Sequence, residues 1–197
     1  MENETSGLLA ELAREPDRLK KILKTLALIT EQIQPLKPIV VGGAALEFYT
    51  LGGYTTKDVD LVVGDRRRLD QVLRDLGFRR TEGRHWYSEL LDMAIEAPDE
   101  VLAGSEDKIT TVTVGGKRVY LIGPEDLIVD RLAAAKYWQN CEEDFNLAVR
   151  LLVLHNQRID LNYLKEAARK EFVEDILNRA LRKSQKYLKK LEGLDRV

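Results

Sequence analysis

Apolar residues recur along the chain with two different periods, and the change of period divides the sequence into two parts. Between Glu11 and Gln34 the apolar positions follow helical spacing, and Pro35 and Pro38 come directly after them. Proline stops a helix because it lacks the backbone N–H and clashes with the preceding turn. This stretch therefore predicts one amphipathic helix leading into a strand at 39–41.

The central part alternates short β-rich runs with helical segments. Strands are predicted at 39–41, at 59–63 and in the hairpin TTVTVGGKRVYLIG, and the segment 85–95 is predicted to be a strand or a hairpin arm. Short helices are predicted at 44–51 and at 66–76, the second one capped by Asp65 and ended by Gly77. The pattern is typical of a mixed sheet flanked by helices.

Beyond Pro124 the periodicity is helical only. Four helices are predicted, at 125–138, 142–155, 161–172 and 175–191. We expect an α/β domain with N-terminal helices over residues 1–123 and a C-terminal helical region over 124–197. The predicted fold class is α/β, in the α+β sense, followed by a helical bundle.

Composition narrows the class of protein. The chain has 197 residues and a formal net charge of −2, so any nucleic-acid contact has to be local. The single cysteine, Cys141, excludes an internal disulfide and favours a cytoplasmic protein. No apolar run reaches the ~20 residues of a membrane span, and no signal segment precedes the first helix, so no membrane partner is expected.

Two acidic residues interrupt an otherwise apolar strand in VVGGAALEFYTLGGYTTKDVDLVV. Alternate strand residues point to one face, so Asp58 and Asp60 share a face roughly 6.8 Å apart. At an effective dielectric of ~20 their repulsion is about 2.4 kcal/mol. Mg²⁺ or Mn²⁺ would offset that cost, since oxygen ligands suit these ions. The structural alternative is that Asp58 caps a turn and Asp60 pairs with a nearby Lys or Arg.

Gly42 and Gly43 follow the first strand and open a helix. Bare backbone N–H groups at such a turn, together with a helix N-terminus, can hold a phosphate. A tight strand-to-helix turn without a ligand explains the same glycines equally well, so both interpretations stand.

The combination of the glycine pair, the short helix and Thr56-Lys57-Asp58-Val59-Asp60 resembles the signature of the nucleotidyltransferase superfamily, the polymerase beta-like fold. The stretch looks similar to transfer-RNA CCA-adding enzymes and to abortive-infection type nucleotidyltransferase toxins. The resemblance spans roughly 40–152. It implies that Asp58 and Asp60 hold catalytic Mg²⁺ and that a third carboxylate lies on a neighbouring strand.

The third acid is expected on the stretch LLDMAIEAP. Glu96 is the preferred residue, because an uncharacterised prokaryotic branch of the superfamily has a glutamate before a proline there. Asp92 is the alternative on the same predicted strand face. The resemblance makes Gly42, Gly43, Thr56 and Lys57 candidate nucleotide contacts.

In the helical half, Arg131 and Lys136 are candidate contacts to the triphosphate, because the resembling branch has a DRLAA-like segment there. The alternative interpretation is that Asp130 and Arg131 form ion pairs that anchor the two halves. Two groups of basic residues are candidate surfaces for an acceptor such as RNA, although solvated faces explain them too: Arg66, Arg67, Arg68, Arg79, Arg80 and Arg84 in the first half, and Arg179, Arg182, Lys183, Lys186, Lys189 and Lys190 on the last helix.

Three hypotheses follow. The first is a Mg²⁺-dependent enzyme that moves a nucleoside monophosphate from a nucleoside triphosphate to an acceptor hydroxyl on RNA, protein or a small molecule. The second is a non-catalytic nucleotide- or protein-binding module, such as a toxin–antitoxin or defence component. It is motivated by Gly43, which stands where many members have serine. The Arg-Asp of CCA-adding enzymes is absent, with Leu46-Glu47 nearby instead, which argues against transfer-RNA end repair. The third is a helical interaction platform whose acids are structural.

Overall fold

The structure is a computed structural model that describes residues 2–138 and 141–194, with side-chain surroundings for 7–138 and 142–193. The chain divides into two compact units, Met1–Ile122 and Gly123–Val197. The first unit contains a seven-stranded mixed sheet and the second is helical. The predicted fold class is confirmed.

The first unit has four α-helices and seven strands among its described residues. In chain order they are α1 (Glu2–Ala13), α2 (Arg18–Gln32), β1 (Ile39–Val41), α3 (Gly42–Tyr49), β2 (Asp58–Val62), α4 (Arg66–Asp75), β3 (Arg79–Arg80), β4 (His85–Ser88), β5 (Met93–Glu96), β6 (Thr110–Val114) and β7 (Lys117–Leu121). The strand order is β3-β4-β5-β2-β1-β7-β6. β1 pairs in parallel with β7, and β2 with β5, while the other neighbours are antiparallel.

The central strands of this sheet have fully buried apolar side chains. Val40, Val59, Leu61 and Ile95 are each at most 1% exposed. Burial of such side chains contributes roughly 1.5–3 kcal/mol each relative to exposure. Val59 and Leu61 alternate along β2 with the two acids, which are only half-buried. Burial of one face of β2 thus fixes the direction in which the acids point.

The second unit consists of four helices: α5 (Pro124–Tyr137), α6 (Cys141–Leu154), α7 (Leu161–Lys170) and α8 (Glu174–Leu194). Two buried acids on the first turn of α5 hold the start of α7. Glu125 Oε1 accepts the Asp160 backbone N–H at 2.8 Å, and Asp126 Oδ1 accepts the Tyr163 hydroxyl at 2.6 Å. None of the described helices has the length and apolar character needed to cross a membrane.

Two elements of the first unit differ from the sequence expectations. The single helix expected from Glu11 is two helices, because Pro16 breaks it and Asp17 caps α2 by accepting the Lys20 N–H at 3.0 Å. The segment 85–95, expected as a strand or a hairpin arm, contains the antiparallel strands β4 and β5. The short strand β3 was not predicted, since its two exposed arginines have no apolar pattern.

Candidate active site

Three carboxylates converge at the centre of the sheet. Asp58 and Asp60 lie on β2, and Glu96 lies on the parallel neighbour β5 directly beside Asp60 in the pairing register. One oxygen from each carboxylate lies within 4.8 Å of the others, and all three residues are half-buried. We call Asp58, Asp60 and Glu96 the carboxylate cluster. The structure therefore brings together the three acids proposed from the sequence.

The carboxylates of the cluster lie close enough to repel one another. Two unit charges 4.8 Å apart repel by about 3.5 kcal/mol at an effective dielectric of ~20. Arg84 Nε donates to Glu96 Oε1 at 2.7 Å, and His85 Nδ1 lies 3.7 Å from Glu96 Oε2. An oxygen-only donor set of this kind fits a hard divalent cation such as Mg²⁺.

The glycine turn lies directly against the acids. Gly42 has φ +56°, and a Cβ built on it would lie 2.3 Å from Asp60 Oδ2. A Cβ at Gly43 would lie 2.5 Å from Thr56 Oγ1. Both positions need glycine because carboxylate and hydroxyl oxygens occupy the space of a side chain. The same glycines form the first turn of α3, which starts beside Asp60.

The loop before β2 is held by a buried glutamate that the sequence reasoning did not select. Glu47 is 3% exposed, and its Oε2 accepts the Thr56 backbone N–H at 3.3 Å and Arg18 Nη1 at 2.5 Å. Arg18 also donates to the Thr56 carbonyl. Thr56 Oγ1 in turn donates to Asp58 Oδ1 at 3.2 Å. This chain of contacts links α2 and α3 to the first acid, while Lys57 is exposed.

Asp92, the alternative third acid, does not join the carboxylate cluster. It precedes β5 in a left-handed conformation with φ +47°, is exposed, and accepts the Tyr87 hydroxyl at 2.7 Å. That bond, with desolvation, raises the pKa of Tyr87 above its ordinary value. The expectation that Asp92 shares a strand face with Glu96 is wrong, because the strand begins only at Met93.

Arg131 and Lys136 belong to the helical unit and have ion-pair partners there. Arg131 pairs with Asp130 at 2.6 Å and with Asp144 of α6 at 2.9 Å. Lys136 pairs with Asp175 of α8 at 2.7 Å, and this hydrogen bond raises the pKa of Lys136. The inter-helix ion pair expected for Arg131 is therefore present, and it joins two helices of the second unit.

Arg84, Glu47 and Arg18 are the contacts to this site that sequence reasoning missed. Arg84 stood among other arginines without a distinct role. The signal that could have found it is the β4–β5 hairpin, which pairs His85 with Glu96 and so brings the preceding residue near the acid. Glu47 and Arg18 are far apart in sequence and left no comparable signal.

The fold and the carboxylate cluster define a protein with a mixed sheet and a candidate site for a divalent cation, and comparison with known proteins gives its family. Residues 17–191 match the family described as "Nucleotidyltransferase of unknown function (DUF6036)". Since the match covers most of the chain, this protein belongs to that family.

Two solved structures share the fold. One is an antigenic nucleotidyltransferase-like protein from Paracoccidioides brasiliensis, with a TM-score of 0.58 and 19% identity over 85% of this chain and 93% of that one. The other is ANT(2")-Ia in complex with adenylyl-2"-tobramycin, with a TM-score of 0.50 and 20% identity over 78% of this chain and 98% of that one. No curated protein matches the chain.

Proposed function

We propose that this protein is a divalent-metal-dependent nucleotidyltransferase that moves a nucleoside monophosphate from a nucleoside triphosphate to an acceptor hydroxyl. The observation that carries the proposal is the carboxylate cluster, with its oxygens within 4.8 Å of one another beside a glycine turn. Family membership supports the same chemistry. So does ANT(2")-Ia, a fold neighbour solved with an adenylylated molecule.

Asp58, Asp60 and Glu96 are the residues that would hold Mg²⁺ or Mn²⁺. A bound divalent cation neutralises phosphate charge and polarises the phosphoryl oxygens. The three side chains reach the cluster from two hydrogen-bonded strands, so little has to move to present their oxygens. Arg84 holds Glu96 by its Oε1, and Asp60 is the acid that lies against the glycine turn.

The nucleotide contacts follow from the same arrangement. Gly42 and Gly43 lie in the first turn of α3, where backbone N–H groups have no partner within the helix and the helix dipole favours phosphate. Thr56 occupies the space that a side chain at position 43 would fill, so its hydroxyl is the one available there. Lys57 is exposed on the same loop and is proposed as a phosphate contact. Arg131 and Lys136 remain proposed contacts that would have to exchange their present partners.

The reaction balances without a further reactant. The acceptor oxygen bonds to the α-phosphorus, and the bond from that phosphorus to the oxygen bridging the β-phosphate breaks. Pyrophosphate leaves with the electron pair, and the hydroxyl proton passes to solvent or a nearby base. RNA, a protein and a small molecule are all acceptors of suitable chemistry. One form of this proposal is a toxin role like that of the abortive-infection type nucleotidyltransferases.

Label transfer tests the function directly. Purified protein is incubated with each α-labelled nucleoside triphosphate, Mg²⁺ or Mn²⁺, and total cellular RNA or protein. We expect transfer by the wild type and a loss of about a hundredfold or more in Asp58→Asn/Asp60→Asn, because the charge that holds the cation is removed. Asp92→Asn is the matched control, since it neutralises a nearby acid outside the cluster. Equal transfer by the double variant would contradict the proposal.

A second candidate function is binding without catalysis. It is favoured by Gly43, which provides no side-chain hydroxyl at a position where many superfamily members have serine. Isothermal titration separates the two functions. Tight nucleotide binding that needs no divalent ion, with no transfer to any acceptor, would support the binding module.

A further inference from the structure

A basic groove lies within the helical unit, between α5, α6 and α8. Its volume is about 900 Å³. Among the residues that the structure describes, it is lined by one carboxylate, Glu142, and by five cations of α8: Arg179, Arg182, Lys183, Lys186 and Lys190. We call these five residues and the cavity between them the basic groove. Its charge selects an anionic occupant.

The cations of the basic groove differ from other cations of the same unit. Arg131, Lys136 and Lys170 each form an ion pair with an Asp or Glu at 2.9 Å or less. No such pair joins any of the five groove cations to a carboxylate among the side chains that the structure describes in 142–193. Instead, Lys183 donates to the Asn146 amide oxygen at 2.7 Å. Their positive charge therefore remains available to a ligand.

The spacing of these cations favours an extended polyanion over a single phosphate. They follow each other at intervals of one to four residues along α8 from Arg179 to Lys190. At ~1.5 Å per residue the row is about 16 Å long. A row of this length can contact several successive phosphates of a nucleic-acid strand.

Two aromatic rings lie among the cations. Arg179 and Lys183 sit over the ring of Phe145, at 5.4 and 5.3 Å from its centroid. Tyr187 also lines the groove and is 45% exposed. Rings interleaved with cations are the arrangement by which proteins bind single strands, because unpaired bases stack on aromatic side chains. An acidic protein segment offers no planar base to stack there.

We propose that the basic groove binds single-stranded nucleic acid, with the cations on its phosphates and Tyr187 stacked on a base. Binding in this groove needs neither a nucleoside triphosphate nor a divalent cation. It therefore holds or fails independently of nucleotidyl transfer. That the bound strand is also the acceptor rests on the proposed function.

Fluorescence anisotropy tests the groove with a labelled oligouridylate, its deoxy counterpart and labelled polyglutamate. We expect both nucleic acids to bind and polyglutamate to bind more weakly. Tyr187→Leu should weaken binding by about tenfold, the loss of one stacked base. Lys186→Gln should lower the slope of log affinity against log salt by about 0.7. A preference between the ribo and deoxy strands identifies the natural ligand.

Lys189→Gln is the matched control, because it removes the same charge from the same helix outside the groove lining. Circular dichroism of each variant confirms that the helices are retained. The proposal is overturned if neither strand binds, if polyglutamate binds as tightly as the strands, or if Lys189→Gln reduces the salt slope as much as Lys186→Gln.

Discussion

At Gly42, both the backbone conformation and the neighbouring Asp60 leave no room for a side chain. Its φ of +56° disfavours any L side chain, and a Cβ would lie 2.3 Å from Asp60 Oδ2. The residue thus serves both the backbone turn and the position of an acid.

Gly42→Ala is expected to lower stability and displace the Asp60 carboxylate. The backbone strain alone costs about 1–2 kcal/mol. Gly77→Ala is the control, because Gly77 has φ +77° and nothing within 4 Å of a built Cβ. Urea unfolding should show a loss for both variants, while nucleotidyl transfer should fall only in Gly42→Ala. Equal transfer in the two variants would contradict the role of Gly42 at the acids.

At the residue scale, much of the site was predictable from sequence. The DxD spacing placed Asp58 and Asp60 on one face, and the structure has both there because Val59 between them is buried. Glu96 was predicted through a family resemblance. The contacts of Arg84 and Glu47 were not predictable, since they depend on which strands and helices pack together.

At the scale of elements, α4 is tied to the sheet by one carboxylate. Asp70 accepts the indole N–H of Trp86 on β4 at 2.7 Å and Arg74 Nε at 2.9 Å. The Trp86 hydrogen bond, followed by Arg74, lowers the pKa of Asp70 below its ordinary value. Trp86 is 1% exposed, so water cannot replace Asp70 as the acceptor for its indole N–H.

Asp70→Asn should therefore destabilise the protein by about 1–2 kcal/mol at neutral pH. A folded-state pKa below the unfolded one gives stability that is complete above the unfolded pKa, about 3.9. That stability is lost as the pH falls through the folded pKa. Urea unfolding of the wild type and of Asp70→Asn is measured at neutral pH and at a series of acidic values. The difference between their free energies of unfolding should shrink on acidification. A difference that stays constant at all pH values would contradict this assignment.

The elements themselves were predicted unevenly. Strongly periodic segments such as α4 and the four helices of the second unit were predicted to within about three residues at their ends. The hairpin β6–β7 followed from its glycine turn. β3 and the division at Pro16 were missed, because a two-residue polar strand has no pattern and the apolar period continued across the proline.

At the scale of the whole molecule, the two units carry different chemistry. The first has acids at the centre of a mixed sheet, and the second has a row of cations with aromatic rings. The net charge of −2 does not indicate this difference between the units, because acids elsewhere in the chain offset the cations. The sequence analysis placed a domain boundary between residues 123 and 124, and that division into domains stays a prediction.

Titration with Mn²⁺ tests the central claim most directly, since the claim is that the carboxylate cluster holds a divalent cation. Electron paramagnetic resonance of free Mn²⁺ reports binding without need of a nucleotide or acceptor. The account predicts binding by the wild type and by Asp92→Asn, and a loss of more than about tenfold in Asp58→Asn/Asp60→Asn. Equal binding by the double variant, or none by the wild type, would contradict it.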